Sequence, residues 1–222
     1  MKPETGTKVE TASIAAAALR LLDDGGIDGL TMRKVAAGLG VQAPALYWHV
    51  KNKRELLDVM ANALFVSAVD GIEAPRRDTG WQDWLLDLAG RLRSTLLRHR
   101  DGARVLAGTN VAGESLWRVT ELTLRTLEDA GFSAADAVRV FPILLHYTIG
   151  FVIEEQARSG VEYPDGNPYT VDRLSAAVDA ARYPLTAEMV GTVFGSDNDA
   201  EFEYGLHVIL AGISATTGPE KQ

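Results

Sequence analysis

From Thr31 to Lys53 the chain reads TMRKVAAGLGVQAPALYWHVKNK, a pattern that commits its N-terminal end to the packing of short helices. Thr31 is an N-cap residue, and Val35, Ala36 and Leu39 form the apolar side of the helix it opens. Gly40 ends that helix, because glycine enters the left-handed region without a side-chain penalty. Gln42 to His49 then spans only about two turns. Pro44 falls near its first turn, where a missing N–H costs nothing. Helix, glycine-containing turn, helix is the helix-turn-helix pattern.

The flanking sequence supplies the helices such a pair packs on. Ile14, Ala18, Leu21 and Leu22 recur at helical spacing ahead of the break DDGG. On the other side, Asn52 with Glu55 three residues on makes a capping pattern, which opens a helix through Leu56, Leu57, Met60 and Leu64. Beyond it, Trp81, Trp84, Leu85, Leu88 and Leu92 share a helix face, as do Leu116, Val119, Leu122, Thr123 and Leu127. Ser133 with Asp136 caps a helix running to about Arg158, kinked at Pro142. RSGVEYPDGNPYT is a breaker-rich loop, and RYPL with GTVFGSDND frames shorter helices. The last helix carries Phe202, Leu206, Ile209, Leu210 and Ile213, with Gly205 and Gly212 on one side for close approach. No segment shows strand periodicity. The fold class is all-α: a helix-turn-helix head over residues 1–51, then a helical body over residues 52–222.

Charge is distributed unevenly. The net charge of −8 by itself argues against a nucleic-acid partner. Within residues 26–54, however, Arg33, Lys34, Lys51, Lys53 and Arg54 stand against Asp28 alone. A small basic face on an acidic body steers a polyanion to that face. The three basic residues after Tyr47 and Trp48 gather where a helix N-terminus already favours phosphate.

Several function classes fall away. The chain has no cysteine, which excludes disulfides and thiolate chemistry and suits a reducing cytoplasm. Its beginning lacks the pattern of a signal peptide. The longest apolar stretch, Phe141 to Ile153, is too short and too polar to span a bilayer, so no membrane association is expected. His49, His99, His146 and His207 show no metal-ligand spacing, and neither a nucleophile elbow nor a phosphate-binding glycine loop is present. An enzyme is therefore the weak alternative. His146, on a mostly apolar helix, reads as a hydrogen-bonded core or pocket-lining residue, and Trp48 as core. A constitutive DNA-binding protein with no ligand is the other alternative, and its body would be a filled, dry core.

The segment GIDGLTMRKVAAGLGVQAPALYWHVKNKRELLD resembles the DNA-binding segment of the TetR family of transcriptional regulators, above all its tetracycline-responsive members. LLRHRDGARVLAGT and, more loosely, HYTIGFVIEEQ extend the resemblance into the body. It implies a repressor that binds a palindromic double-stranded DNA operator as a homodimer, through helices around 133–158 and 199–217. It also implies release by a small-molecule effector. Carried over position by position, Arg33 reads bases, since a guanidinium grips guanine with two hydrogen bonds. Gln42, Pro44 and Tyr47 become groove contacts, and Thr31, His49 and Lys53 phosphate contacts. Ala43 and Ala45, with Met32, stand where those relatives have hydrogen-bonding side chains, so a different operator is expected.

The same resemblance places Leu88, Leu92, Leu106, Thr109, Asn110, Leu122, His146 and Glu154 at the effector. Leu106 stands where the tetracycline-responsive members have a metal-binding histidine, and leucine has no lone pair for magnesium. Glu154 alone either holds a hydrated ion or is simply solvated. No metal or cofactor is therefore expected, and an apolar organic ligand fits the residues that remain.

Overall fold

The computed structural model describes residues 10–161, 163–195 and 197–217. The charged start and the last five residues lie outside the described range. Among the described residues there are eleven helices and no strand. They are α1 (Thr11–Gly29), α2 (Met32–Gly38), α3 (Ala43–Tyr47), α4 (Lys53–Ala68), α5 (Trp81–Leu97), α6 (Gly102–Leu106), α7 (Glu114–Asp129), α8 (Ala134–Arg158), α9 (Val171–Ala177), α10 (Pro184–Phe194) and α11 (Asn198–Thr217). The all-α expectation and the N-terminal three-helix head are both present. The chain divides into two compact units: the chain through Ala74 with Leu88–Thr123, and Pro75–Asp87 with the chain from Leu124 onward.

In the first unit α1 buries Ile14, Ala18 and Leu22 against its neighbours. It continues through Asp23 and Asp24 and breaks at Gly26 (φ 66°, ψ 176°), the second glycine of the expected break. Thr31 caps α2, its hydroxyl accepting the N–H of Lys34 at 3.3 Å. The end of α2 is a Schellman closure: Gly40 sits at φ 68°, its N–H goes to the Ala37 carbonyl and the Val41 N–H to the Ala36 carbonyl. Asn52 caps α4 by accepting the N–H of Glu55 at 2.9 Å. The Glu55 carboxylate reaches back to the N–H of Lys51 rather than of Asn52, at 2.8 Å. The apolar stripe of α4, Leu56, Met60, Ala61, Leu64 and Phe65, is buried. α4 packs against both α1 and α6.

α6 is a helix the periodicity did not reveal, because five residues are too few to show a period. It follows Asp101 in the left-handed conformation (φ 57°). Gly102 is required there, since a Cβ at that position would overlap the Leu96 carbonyl.

The second unit is organised by α8, which buries Ala137, Val140, Leu144, Thr148 and Val152 on one face. Tyr147 and Phe151 of α8 pack on Phe202 of α11, with ring centroids 5.5 and 5.1 Å apart. Tyr147 also donates its hydroxyl to the Phe202 carbonyl at 3.1 Å. Gly205 admits that tyrosine, because a Cβ there would overlap its phenol oxygen, whereas Gly212 faces open space. Trp81 sits edge-on to Phe132 at 5.0 Å.

The stretch Phe141–Ile153 is too short for a bilayer, but the helix containing it is not: α8, at 25 residues, is long and apolar enough by length and composition to cross one. The apolar run is shorter than its helix because Arg139 and Glu154 flank the run without ending the helix. The buried face of α8 and its aromatic packing on α11 use it as a packed element of its unit.

Candidate DNA-binding face and effector residues

Which face α3 presents is decided by Leu46 and Val50, exposed by 0% and 1%. Two side chains four residues apart share one side of a helical turn. Residues between them point outward, so Tyr47 is 47% and Trp48 89% exposed. Trp48 was expected in the core. It stands in solvent, because the inward positions are already filled. Gln42, Pro44 and His49 are also exposed, and Ala43 and Ala45 are half-buried. Thr31 and Arg33 at the start of α2 and Lys53 at the start of α4 are exposed on the same unit.

The basic residues do more than offer charge. Lys34 donates its Nζ to the Gly29 carbonyl at 2.8 Å, and Lys53 its Nζ to the Ile27 carbonyl at 2.7 Å. Each lysine thereby satisfies a carbonyl at the C-terminal end of α1 that has no partner within the helix. Lysine carries three donors, so neither is used up.

Arg54 is engaged by the loop after α6. Its guanidinium donates to the Gly108 carbonyl and lies 3.7 Å from Asp58. Asp58 in turn accepts the backbone N–H of Asn110 at 2.8 Å. One turn of α4 thus holds two backbone groups of the loop after α6. Sequence reading missed this contact. The Arg54 and Asp58 spacing was legible as an ion pair, but nothing in the sequence marks backbone partners some fifty residues away.

Of the effector candidates, Leu88, Leu92 and Leu106 are buried, exposed by only 4–5%. Thr109 is half-buried, with its hydroxyl donating to the Leu106 carbonyl at 2.8 Å, and Leu122 is half-buried. Asn110 is exposed. These six belong to the unit that contains the head, whereas His146 and Glu154 belong to the other. His146 is exposed on the single chain instead of core, and Glu154 is exposed as well. Among the described residues no three of His, Asp and Glu gather as a metal-binding group would require.

A three-helix head whose aromatic and basic residues are exposed, followed by a large set of further helices, defines a helix-turn-helix regulator. Residues 14–60 match the family described as bacterial regulatory proteins, tetR family, and residues 74–217 match the tetracyclin repressor-like C-terminal domain. The chain belongs to the TetR family of transcriptional regulators, which are DNA-binding proteins and not enzymes. It is 40% identical to the class A tetracycline repressor protein from transposon 1721 of Escherichia coli, over 94% of this chain and 92% of that one. Its structure is similar to that of a possible TetR family transcriptional regulator from Streptomyces coelicolor A3(2): TM-score 0.81, 37% identity, 93% of this chain and 99% of the other. It is similar also to ActR of Streptomyces coelicolor in complex with actinorhodin: TM-score 0.79, 28% identity, 96% of this chain and 99% of the other. Regulators of this family generally act as ligand-responsive repressors that bind DNA as dimers.

Proposed function

We propose that this chain is a cytoplasmic repressor that binds a palindromic operator as a homodimer and leaves it when a small, largely apolar organic molecule binds. Residues 1–51 are the reading head and residues 52–222 the effector-binding and dimerisation part. The dimer forms through helices around 133–158 and 199–217, which places two copies of α3 on half-sites about 34–36 Å apart. Arg33 reads bases. Gln42, Ala43, Pro44, Ala45 and Tyr47 line the groove, and Thr31, His49 and Lys53 hold phosphates.

The observation that carries this reading is the pair of bonds from α4 to the loop after α6. Arg54 follows directly on the phosphate-facing Lys53 and Asp58 lies one turn further along α4, and they hold Gly108 and Asn110 in the segment that also supplies Leu106 and Thr109. A ligand seated against Leu88, Leu92 and Leu106 that shifts this segment moves α4, and α4 carries the head. Shifting the population from about 99:1 to 1:99 takes about 5.5 kcal/mol of differential affinity. Charge-assisted bonds contribute roughly 1.5–3 kcal/mol each when shielded and less where water reaches them. Buried leucines with few polar neighbours suit a flat organic molecule, and relatives were solved with actinorhodin and with 5a,6-anhydrotetracycline and magnesium, both polycyclic ligands.

Selection of bound duplexes from a random DNA pool, followed by a screen of natural-product compounds for release of the recovered duplex, tests both halves. A short palindrome released by an apolar compound is expected. Recovery of no preferred sequence contradicts the operator reading, and a ligand that binds the free and DNA-bound forms equally tightly cannot be the inducer.

A further inference from the structure

Both backbone groups of Ile27, just after the break at Gly26 within α1, are held by side chains from elsewhere in the first unit. Its N–H donates to Asp101 Oδ2 at 2.8 Å, and its carbonyl accepts from Lys53 Nζ at 2.7 Å. Asp101 is 8% exposed and in the left-handed conformation. Its other carboxylate oxygen takes a hydrogen bond from Arg104 at 3.0 Å, and Arg104 also lies 3.7 Å from Asp28. Gly26 makes room for the arrangement: a Cβ there would come within 3.0 Å of Asp101 Oδ2 and 3.1 Å of Arg100 Nε. A buried carboxylate, braced by a guanidinium and aimed at one peptide, fixes that peptide's position. The carbonyl on the other side of the Ile27 Cα, in the next peptide unit, holds Lys53.

We infer that Asp101 and Ile27 are positioning residues for operator binding: through the Ile27 backbone they hold Lys53 with one N–H spent on the Ile27 carbonyl and two left for a DNA phosphate. A lysine without that anchor loses its preferred rotamer and must be ordered when DNA arrives, and ordering so long a side chain is costly. The corner between α5 and α6 thus feeds into DNA affinity by a route separate from Arg54 and Asp58. This inference rests on the operator-binding reading above and goes beyond it to the residues that set the strength of one phosphate contact.

A double-mutant cycle on the full-length protein tests it, using a palindromic duplex recovered from the random pool. Asp101→Ala should weaken binding about tenfold in the wild-type background. In a Lys53→Met background it should weaken binding by less than about twofold, because the lysine it positions is gone. Asp101→Asn, which keeps an acceptor for the Ile27 N–H, should recover most of the affinity. The same fold loss from Asp101→Ala in both backgrounds overturns the inference, since a general loss of stability does not depend on Lys53. If Asp101→Ala does not fold, amide hydrogen exchange on the wild-type protein decides: strong protection of the Ile27 N–H supports the arrangement, and exchange at the rate of an open loop peptide overturns it. Failure to recover any duplex would instead contradict operator binding itself, so the two failures are distinct.

Discussion

Asp58 on α4 accepts the backbone N–H of Asn110 at 2.8 Å, across 52 positions of sequence. With Arg54 on the Gly108 carbonyl, this ties the helix that carries the reading head to the segment bearing Leu106 and Thr109. If the tie transmits induction, cutting it should damage the response more than the binding. The variant Asp58→Ala with Arg54→Met is expected to bind the selected duplex within a few-fold of wild type. The ratio of affinities without and with inducer should fall at least about tenfold, which corresponds to about 1.4 kcal/mol. A lowered melting temperature with an unchanged ratio would reduce these residues to stability alone.

Arg33 and Lys53 should separate in their effects. Arg33→Ala is expected to lose about 1–3 kcal/mol of discrimination at one base pair, leaving binding to unrelated duplexes nearly unchanged. Lys53→Ala should weaken all sequences alike and lower the salt slope by about one. Binding isotherms on matched and mismatched duplexes across a salt series distinguish the two.

Magnesium–tetracycline should not be the inducer, despite 40% identity to a tetracycline repressor. Leu106 is buried and has no lone pair at the position where the resemblance implies a metal ligand. Leu88 and Leu92 offer no hydrogen bond to the drug's polar edge, and each group left unpaired costs roughly 1–3 kcal/mol. Titration of tryptophan emission with the drug in magnesium is expected to show no saturable change. Saturation below about a micromolar with release of the duplex would show that leucine at position 106 does not prevent drug binding.

Thr148 in α8 is 0% exposed, and its hydroxyl has no hydrogen-bond partner. Valine has the same shape without the polar atom. Thr148→Val is therefore predicted to stabilise the protein by about 1 kcal/mol, the lower end of the penalty for an unsatisfied buried group. Urea unfolding measures it, and a destabilised variant would mean that the hydroxyl is satisfied in solution.

Elements set by local rules were legible from sequence. Thr31, Asn52 and Ser133 each cap the helix their spacing indicated, and Ser133 opens one that ends at Arg158. Facing was less legible: Trp48 has a core residue's composition, yet Leu46 and Val50 take the inward positions on so short a helix. Long-range backbone contacts could not be read at all. The partners of Asp58, Asp101 and Lys53 are peptide groups that every residue carries, so no side-chain pattern announces them. Nor does α6 show a period in five residues.

The central claim, that the exposed face of α3 meets DNA, is tested most directly at Trp48, 89% exposed beside Tyr47. Titrating the protein with the selected duplex should change tryptophan emission and saturate at one duplex per two chains. In Trp48→Phe, which keeps Trp81, Trp84 and Trp117, the duplex should still bind by mobility shift while the emission change disappears. An emission change of the same size in that variant, or none in the wild type despite tight binding, would contradict the claim and place the DNA elsewhere on the protein.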